Sequence, residues 1–259
     1  MSLGIVFSCS QNNVFYTVFN YYGMKNNKFI RIVPVLLSIL FVATLFFSCS
    51  KKDAPRIGQL MFVNASPGFG PVDVLFDGNK FNTTGVAYGA NTGYKPLLEG
   101  SYVMNITSSG TTTSLYDVNL SKAAYINQSF FIYDRPNSLQ ILAVQDVLIT
   151  PSAGKANIRF FHLSPGSTVI NVGTISASVF TPIFSARSFE SRSTAYTNAS
   201  FTLIHAGTYS FEIRVNGAGV TLLSVNNIVL QESKNYTIFA KGISGNATTP
   251  LGLEVIENN

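Results

Sequence analysis

Tyr209, Phe211, Ile213 and Val215 alternate with Ser210, Glu212, Arg214 and Asn216. A period of two is what a half-buried strand imposes, because successive side chains leave opposite faces of the pleated backbone. Asn216-Gly217 then marks a turn, and Val220 to Val225 supplies the returning strand. Ser101 to Thr107 and Thr112 to Val118 flank Ser108-Ser109-Gly110 in the same way, and Val72 to Phe76 runs into the turn signal Asp77-Gly78. Tyr125 to Tyr133 and Tyr236 to Lys241 are later runs rich in aromatic and β-branched residues. No stretch after Cys49 carries a convincing helical period. Short strands separated by turn signals predict an all-β chain.

The pattern repeats. Leu60 to Gly68 matches Ile158 to Gly166, so that Ser66-Pro67-Gly68 recurs as Ser164-Pro165-Gly166 at an offset of 98. The same offset carries Val72-Asp73-Val74 onto Ile170-Asn171-Val172 and places Ile175 and Ser176 where Asp77 and Gly78 stand. Glu99-Gly100-Ser101-Tyr102 matches Ala206-Gly207-Thr208-Tyr209 at an offset of 107, the change a loop insertion produces. Two tandem copies are therefore expected, residues 57–150 and 151–259, with Pro151-Ser152-Ala153-Gly154 at their boundary. In each Ser-Pro-Gly, Pro presets the first central turn position and Gly accepts positive φ at the second. These sites are expected to end the first strand of each copy.

Ahead of the copies the pattern changes. Lys25, Lys28 and Arg31 precede an uncharged, mostly apolar run from Ile32 to Phe47, and Cys49 follows Ser48. This order of charge, apolar core and cut site is that of a secretion signal. The run is short for a bilayer span, which takes about 20 residues, and it contains Pro34. Phe46-Phe47-Ser48-Cys49 resembles the lipobox of bacterial lipoproteins, with Phe in place of the commoner Leu and small residue. The resemblance implies diacylation of the Cys49 thiol and cleavage just before it, and two or more acyl chains anchor a protein stably. Residues 24–48 are accordingly expected to be a signal peptide and 49–56 a polar tether. Residues 1–23 carry no charged residue, so translation is expected to begin at Met24.

The totals sharpen this address. Three of the 17 Lys and Arg lie in the leader, leaving 14 against 12 Asp and Glu from Cys49 onward. That near-neutral body has no basic cluster interleaved with aromatics, so nucleic acid is not an expected partner. The two cysteines are Cys9 and Cys49, so no disulfide or cysteine metal site is available after the anchor.

Chemistry is sparse. The histidines are His162 and His205, and no Cys/His cluster, His-Glu-x-x-His, Gly-x-Ser-x-Gly or phosphate-cradling loop occurs. No catalytic, cofactor or metal residue is assigned. Asp73 and Asp77 offer oxygen ligands for calcium, but the second copy lacks both. Candidate ligand-loop residues are Asn64, Ser66, Asp73, His162 and Ser164, and structural turn roles are open to the same residues.

A strand ending in His-x-Ser-Pro, then Val-Asp-Val, Asp-Gly and Gly-Ser/Thr-Tyr, resembles a bacterial envelope domain of unknown function that often occurs in tandem. Asn64 stands where that family has His, while His162 keeps it. The resemblance implies two immunoglobulin-like antiparallel β-sandwiches in a lipid-anchored protein of the cell envelope, in the outer membrane. The function implied is a non-catalytic binding, adhesion or structural module for an envelope protein or glycan. The alternatives are a glycan-binding component of an outer-membrane uptake complex and an envelope hydrolase.

Overall fold

A computed structural model describes residues 54–258. The extension, the signal, Cys49 and the first part of the tether lie outside the described residues. The described chain is all-β and forms two sandwich-like units. The first contains β1 (Ile57–Asn64), β2 (Val72–Phe76), β3 (Asn79–Lys80), β4 (Lys95–Leu98), β5 (Gly100–Ser108), β6 (Ser114–Lys122), β7 (Asn127–Tyr133) and β8 (Gln140–Asp146). The second contains β9 (Lys155–His162), β10 (Ile170–Ser176), β11 (Val179–Arg187), β12 (Thr202–His205), β13 (Gly207–Val215), β14 (Thr221–Leu230), β15 (Asn235–Lys241) and β16 (Gly252–Glu257).

Each sandwich has an outer and an inner sheet. The outer sheets are ordered β3-β2-β5-β6 and β11-β10-β13-β14, and the inner sheets β4-β1-β7-β8 and β12-β9-β15-β16. The order in the second is that of the first, strand for strand. Most pairings are antiparallel, but β1 runs parallel to β7 and β9 parallel to β15.

Those parallel pairs explain the near-continuous apolar runs Leu60-Met61-Phe62-Val63 and Phe160-Phe161, since strands covered on both faces lose the alternation of half-buried ones. Leu60 and Phe62 face the first outer sheet, in a core with Val74, Met104 and Ile106. Met61 and Val63 face the other way, into a cluster with Phe131, Phe161, Leu163 and Phe239. Phe131 packs edge-on to Phe161 and Phe239, with centroids 5.6 and 5.8 Å apart. The remaining core lies between the second inner and outer sheets, around Ile158, Phe160, Phe211 and Ile238. The chain thus stacks four sheets on three cores. Burying one large apolar side chain is worth about 1.5–3 kcal/mol, so the middle core welds the sandwiches together.

Several local expectations shift. The late strand begins at Asn127, because Tyr125 sits in a turn at φ 58°. The hairpin residues matching Asp77-Gly78 are Ala177-Ser178, two positions beyond Ile175-Ser176, and all four adopt positive φ. A helix, α1 (Arg192–Asn198), occupies a segment with no apolar period. Its start is a capping box in which Ser191 Oγ accepts from Thr194 N–H and Thr194 Oγ1 accepts from Ser191 N–H. Seven polar-rich residues, about two turns, are too short to display periodicity, and the cap with the tertiary contact of Ala195 holds them helical.

Candidate binding site

The residues singled out in the sequence are fasteners by position. Asn64 and His162 end β1 and β9, both fully buried. Asn64 Nδ2 donates to the carbonyls of Gly70 and Val86 at 3.2 and 3.1 Å, and its Oδ1 accepts from Ser66 N–H at 3.3 Å. His162 does the same with a ring: Nδ1 accepts from Ser164 N–H at 3.4 Å, leaving Nε2–H to face the Thr168 carbonyl at 3.3 Å. Burial lowers its pKa to about 4, against a smaller upward pull from the Thr168 carbonyl. Ser66 Oγ donates to the Asp134 carbonyl at 2.5 Å, and Ser164 Oγ to that of Gly242 at 2.6 Å. Asn/His-x-Ser therefore ties the first turn of each sandwich to the strand beside it.

Asp73 is buried as well. It pairs with Lys80 at 2.9 Å and accepts from Asn82, Ser109 and the N–H of Gly110. Burial pushes its carboxyl up, but the Gly110, Lys80 and Asn82 contacts outweigh that and hold it at about 2. Asp77 is occupied separately, taking the N–H of Val103 at 2.8 Å. Among the described residues no group of three His, Cys, Asp or Glu is placed to hold a metal. The Gly-Ser/Thr-Tyr motif is also a fastener. Tyr102 OH donates to the Leu98 carbonyl at 3.0 Å and Tyr209 OH to that of His205 at 2.8 Å, closing the corner into β5 and β13.

Between the inner sheets lies a polar seam that no motif marked. Asp146 Oδ1 pairs with Arg159 Nη2, and both side chains are fully buried. Asp146 Oδ2 accepts from Ser129 and Tyr94, each at 2.7 Å. Arg159 Nε donates to Thr237 Oγ1, which donates to Asn258 Oδ1, and Asn258 Nδ2 donates to Tyr94 OH. Burial and the Asp146 charge push the Tyr94 phenol up, so it stays a donor. The guanidinium lies 5.2 Å from the Phe161 ring and 4.7 Å from that of Phe201, and its Nη1 has no acceptor among the described residues.

Phe201 leads from this seam to the surface. It lines a cleft of about 940 Å³ between β8 and α1, with Val147, Ile149, Arg192, Tyr196 and Asn157. α1 presents Arg192, Ala195, Tyr196 and Ala199, one face at helical spacing. The opposite polar face is fixed by Glu190, a buried carboxylate accepting from Thr194 Oγ1 at 2.7 Å and Asn198 Nδ2 at 2.9 Å. Tyr133 OH, from the first sandwich, donates to the Glu190 carbonyl at 3.1 Å. Tyr196 is 88% exposed, Ile149 67% and Val147 59%. Sequence reading missed all of them. The signals present were a lone Tyr within a Ser/Thr-rich stretch and a Ser191-x-x-Thr194 cap. A second, polar hollow of about 390 Å³ lies between β11 and the far side of α1. Neither hollow is lined by His162.

Fold and cleft define an all-β pair of sandwiches with an open groove at one sheet edge. Residues 58–173 match the family model described as a domain of unknown function, DUF4397, a span from β1 into β10. No curated protein matches the chain. Among solved structures, CBMbc, a family CBM26 chain from Eubacterium rectale Amy13K in complex with maltoheptaose, is 12% identical. The likeness covers 78% of this chain and 97% of that one, at a TM-score of 0.25. A DUF3823 family protein from Bacteroides ovatus is 9% identical over 66% of this chain and 96% of that one, at 0.20. At these scores neither likeness bears on function.

Proposed function

We propose that this protein is an exported, non-catalytic binding module, tethered to the cell envelope through a lipid on Cys49, and that the β8–α1 cleft is its ligand surface. The observation that carries the reading is the cleft itself: an open groove of about 940 Å³ with Tyr196 standing 88% exposed on its wall. A large aromatic left in solvent beside exposed Val147 and Ile149 is the composition of a contact surface. The anchor rests on the order of Lys25, Lys28, Arg31, the apolar run and Cys49, and the outer membrane is the proposed destination. A binding role over a hydrolytic one is supported by His162, whose ring nitrogens both face backbone groups inside the fold.

The tandem copies belong to this reading too. Met61 pairs with Ser129 in the first inner sheet as Arg159 pairs with Thr237 in the second, and Val63 with Phe131 as Phe161 with Phe239. The same register positions of each sandwich meet in the middle core, as in an isologous dimer. Duplication of one domain, with the copies packed on a shared face, accounts for that correspondence.

Cell fractionation tests the anchor. Cys49→Ser should release the protein from membranes or leave an uncut precursor, and unchanged processing with unchanged attachment would refute the lipid. Tyr196→Ala combined with Arg192→Glu tests the cleft. The pair should abolish recovery of native envelope partners without lowering thermal stability, and undiminished recovery would remove the cleft from the function.

A further inference from the structure

The cleft runs along a strand edge. Ala143, Val144 and Gln145 are consecutive, so their side chains leave β8 on alternating sides, yet all three line it. A channel beside the edge is what meets residues of both parities. β8 is the last strand of its sheet and pairs with β7 alone, so about half of its main-chain N–H and C=O groups point outward, unpaired. Between Ala143 and Val147 they take no backbone partner outside that pairing among the described residues.

The remaining walls say what chemistry fits. Most lining side chains are apolar, Arg192 is the charged one, and no Asp or Glu is among them. A neutral or acidic sugar needs several free hydrogen-bonding side chains around it. Of the two amides here, Asn157 already donates to the Ile149 carbonyl at 3.1 Å and to Asn235 at 2.9 Å, which leaves Gln145 as the one available amide. An open edge offers main-chain bonds, and exposed Val147, Ile149 and Tyr196 offer apolar contacts, which together is how an extended peptide is recognised.

We infer that the cleft takes an extended segment of another protein, added as a strand to β8, with apolar side chains at alternate positions and a carboxylate against Arg192. This rests on the reading that the cleft is the ligand surface. The probe is a phage-displayed library of random peptides of about ten residues, long enough for one strand, selected on the full chain. Enriched sequences are then synthesised and measured by fluorescence anisotropy. The expected winners alternate apolar residues and carry Asp or Glu. Arg192→Glu should weaken them about tenfold or more, and Tyr196→Ala likewise.

Backbone N-methylation separates strand addition from side-chain docking. Methylating alternate peptide nitrogens of one parity should abolish binding, while the other parity should leave it intact. Equal tolerance of both parities would overturn strand addition. A uronate oligosaccharide serves as the competing probe. If it binds in a Tyr196-dependent way and no peptide is enriched, the peptide inference fails and the binding-module reading stands. If neither probe binds and the Tyr196→Ala, Arg192→Glu protein recovers envelope partners as well as the wild type, both fail.

Discussion

The two sandwiches share one strand plan but differ in the segment between the third and fourth strands. In the first, residues 81–94 return as an irregular loop, and Asn82 from it binds Asp73 and the backbone of Val74. In the second, residues 188–201 contain α1 and present Arg192, Tyr196 and Phe201 to the cleft. Their shared features are fasteners: Ser66 and Ser164, Asn64 and His162, Tyr102 and Tyr209. What this segment adds in the second half includes the exposed Arg192 and Tyr196. A fold tolerates change in its connections because they do not carry the cores, so the function of two sandwiches with one strand plan is to be sought where they diverge.

The seam between the halves is the harshest test of that contrast. Arg159 occupies the register position of Met61, so an apolar residue serves in one half and a buried cation in the other. Arg159→Ala should cost about 3–5 kcal/mol, because it strands the Asp146 carboxylate away from water. Equilibrium denaturation measures this, and Arg159→Met with Asp146→Leu should recover most of the loss. A loss under about 1 kcal/mol in the single variant would show that Ser129 and Tyr94 satisfy Asp146 unaided.

His162 and Asn64 do one job with different acid–base chemistry. The folded-state pKa of His162, about 4, lies below its ordinary value of 6.5. The unfolded chain therefore binds more protons between those values, and stability held above pH 6.5 is lost as pH falls toward 4, by on the order of 3 kcal/mol. Installing the first half's residue by His162→Asn should flatten that slope in a pH series of unfolding free energies. An unchanged slope would place the titration elsewhere.

The serines should behave alike. Ser66→Ala and Ser164→Ala each leave a buried carbonyl without its donor and should cost about 1–2 kcal/mol. A difference beyond about 1 kcal/mol would break the equivalence of the two turns. The smallest expected effect is at the hairpins. Ala177 and Ser178 hold φ of 49° and 63° where the first half uses Asp77 and Gly78. Replacing them by Asn-Gly should stabilise the protein by about 1 kcal/mol, and Gly78→Ser should destabilise it by a similar amount. A thermal shift series checks both.

Much of the fold could be read directly. Alternation at Tyr209 to Asn216, the turn signals and the recurrence of Ser-Pro-Gly are local properties, imposed by backbone geometry on whichever residues occupy it. The all-β class and the places of β1, β2, β5, β6, β7, β9, β10, β13, β14 and β15 follow from them, whereas no such signal marked β3, β4, β8, β11, β12 or β16. The apolar runs Leu60 to Val63 and Phe160-Phe161 also show that the first strands are covered on both faces, a reading that the half-buried template passed over.

What covers those faces is not a local property. The pairing of Arg159 with Asp146, the meeting of Phe131 with Phe161 and Phe239, and the gathering of β8 and α1 around one groove join residues far apart in the chain. Between Ser188 and Ser200 the helical spacing of Ala195, Tyr196 and Ala199 is too short a pattern to announce a helix, and the cap, Glu190 and the middle core hold it in place. The sequence alone thus determined the all-β class, many of its strands and the address expected from Cys49. Tertiary packing decided which apolar faces meet, and therefore which edge was left open.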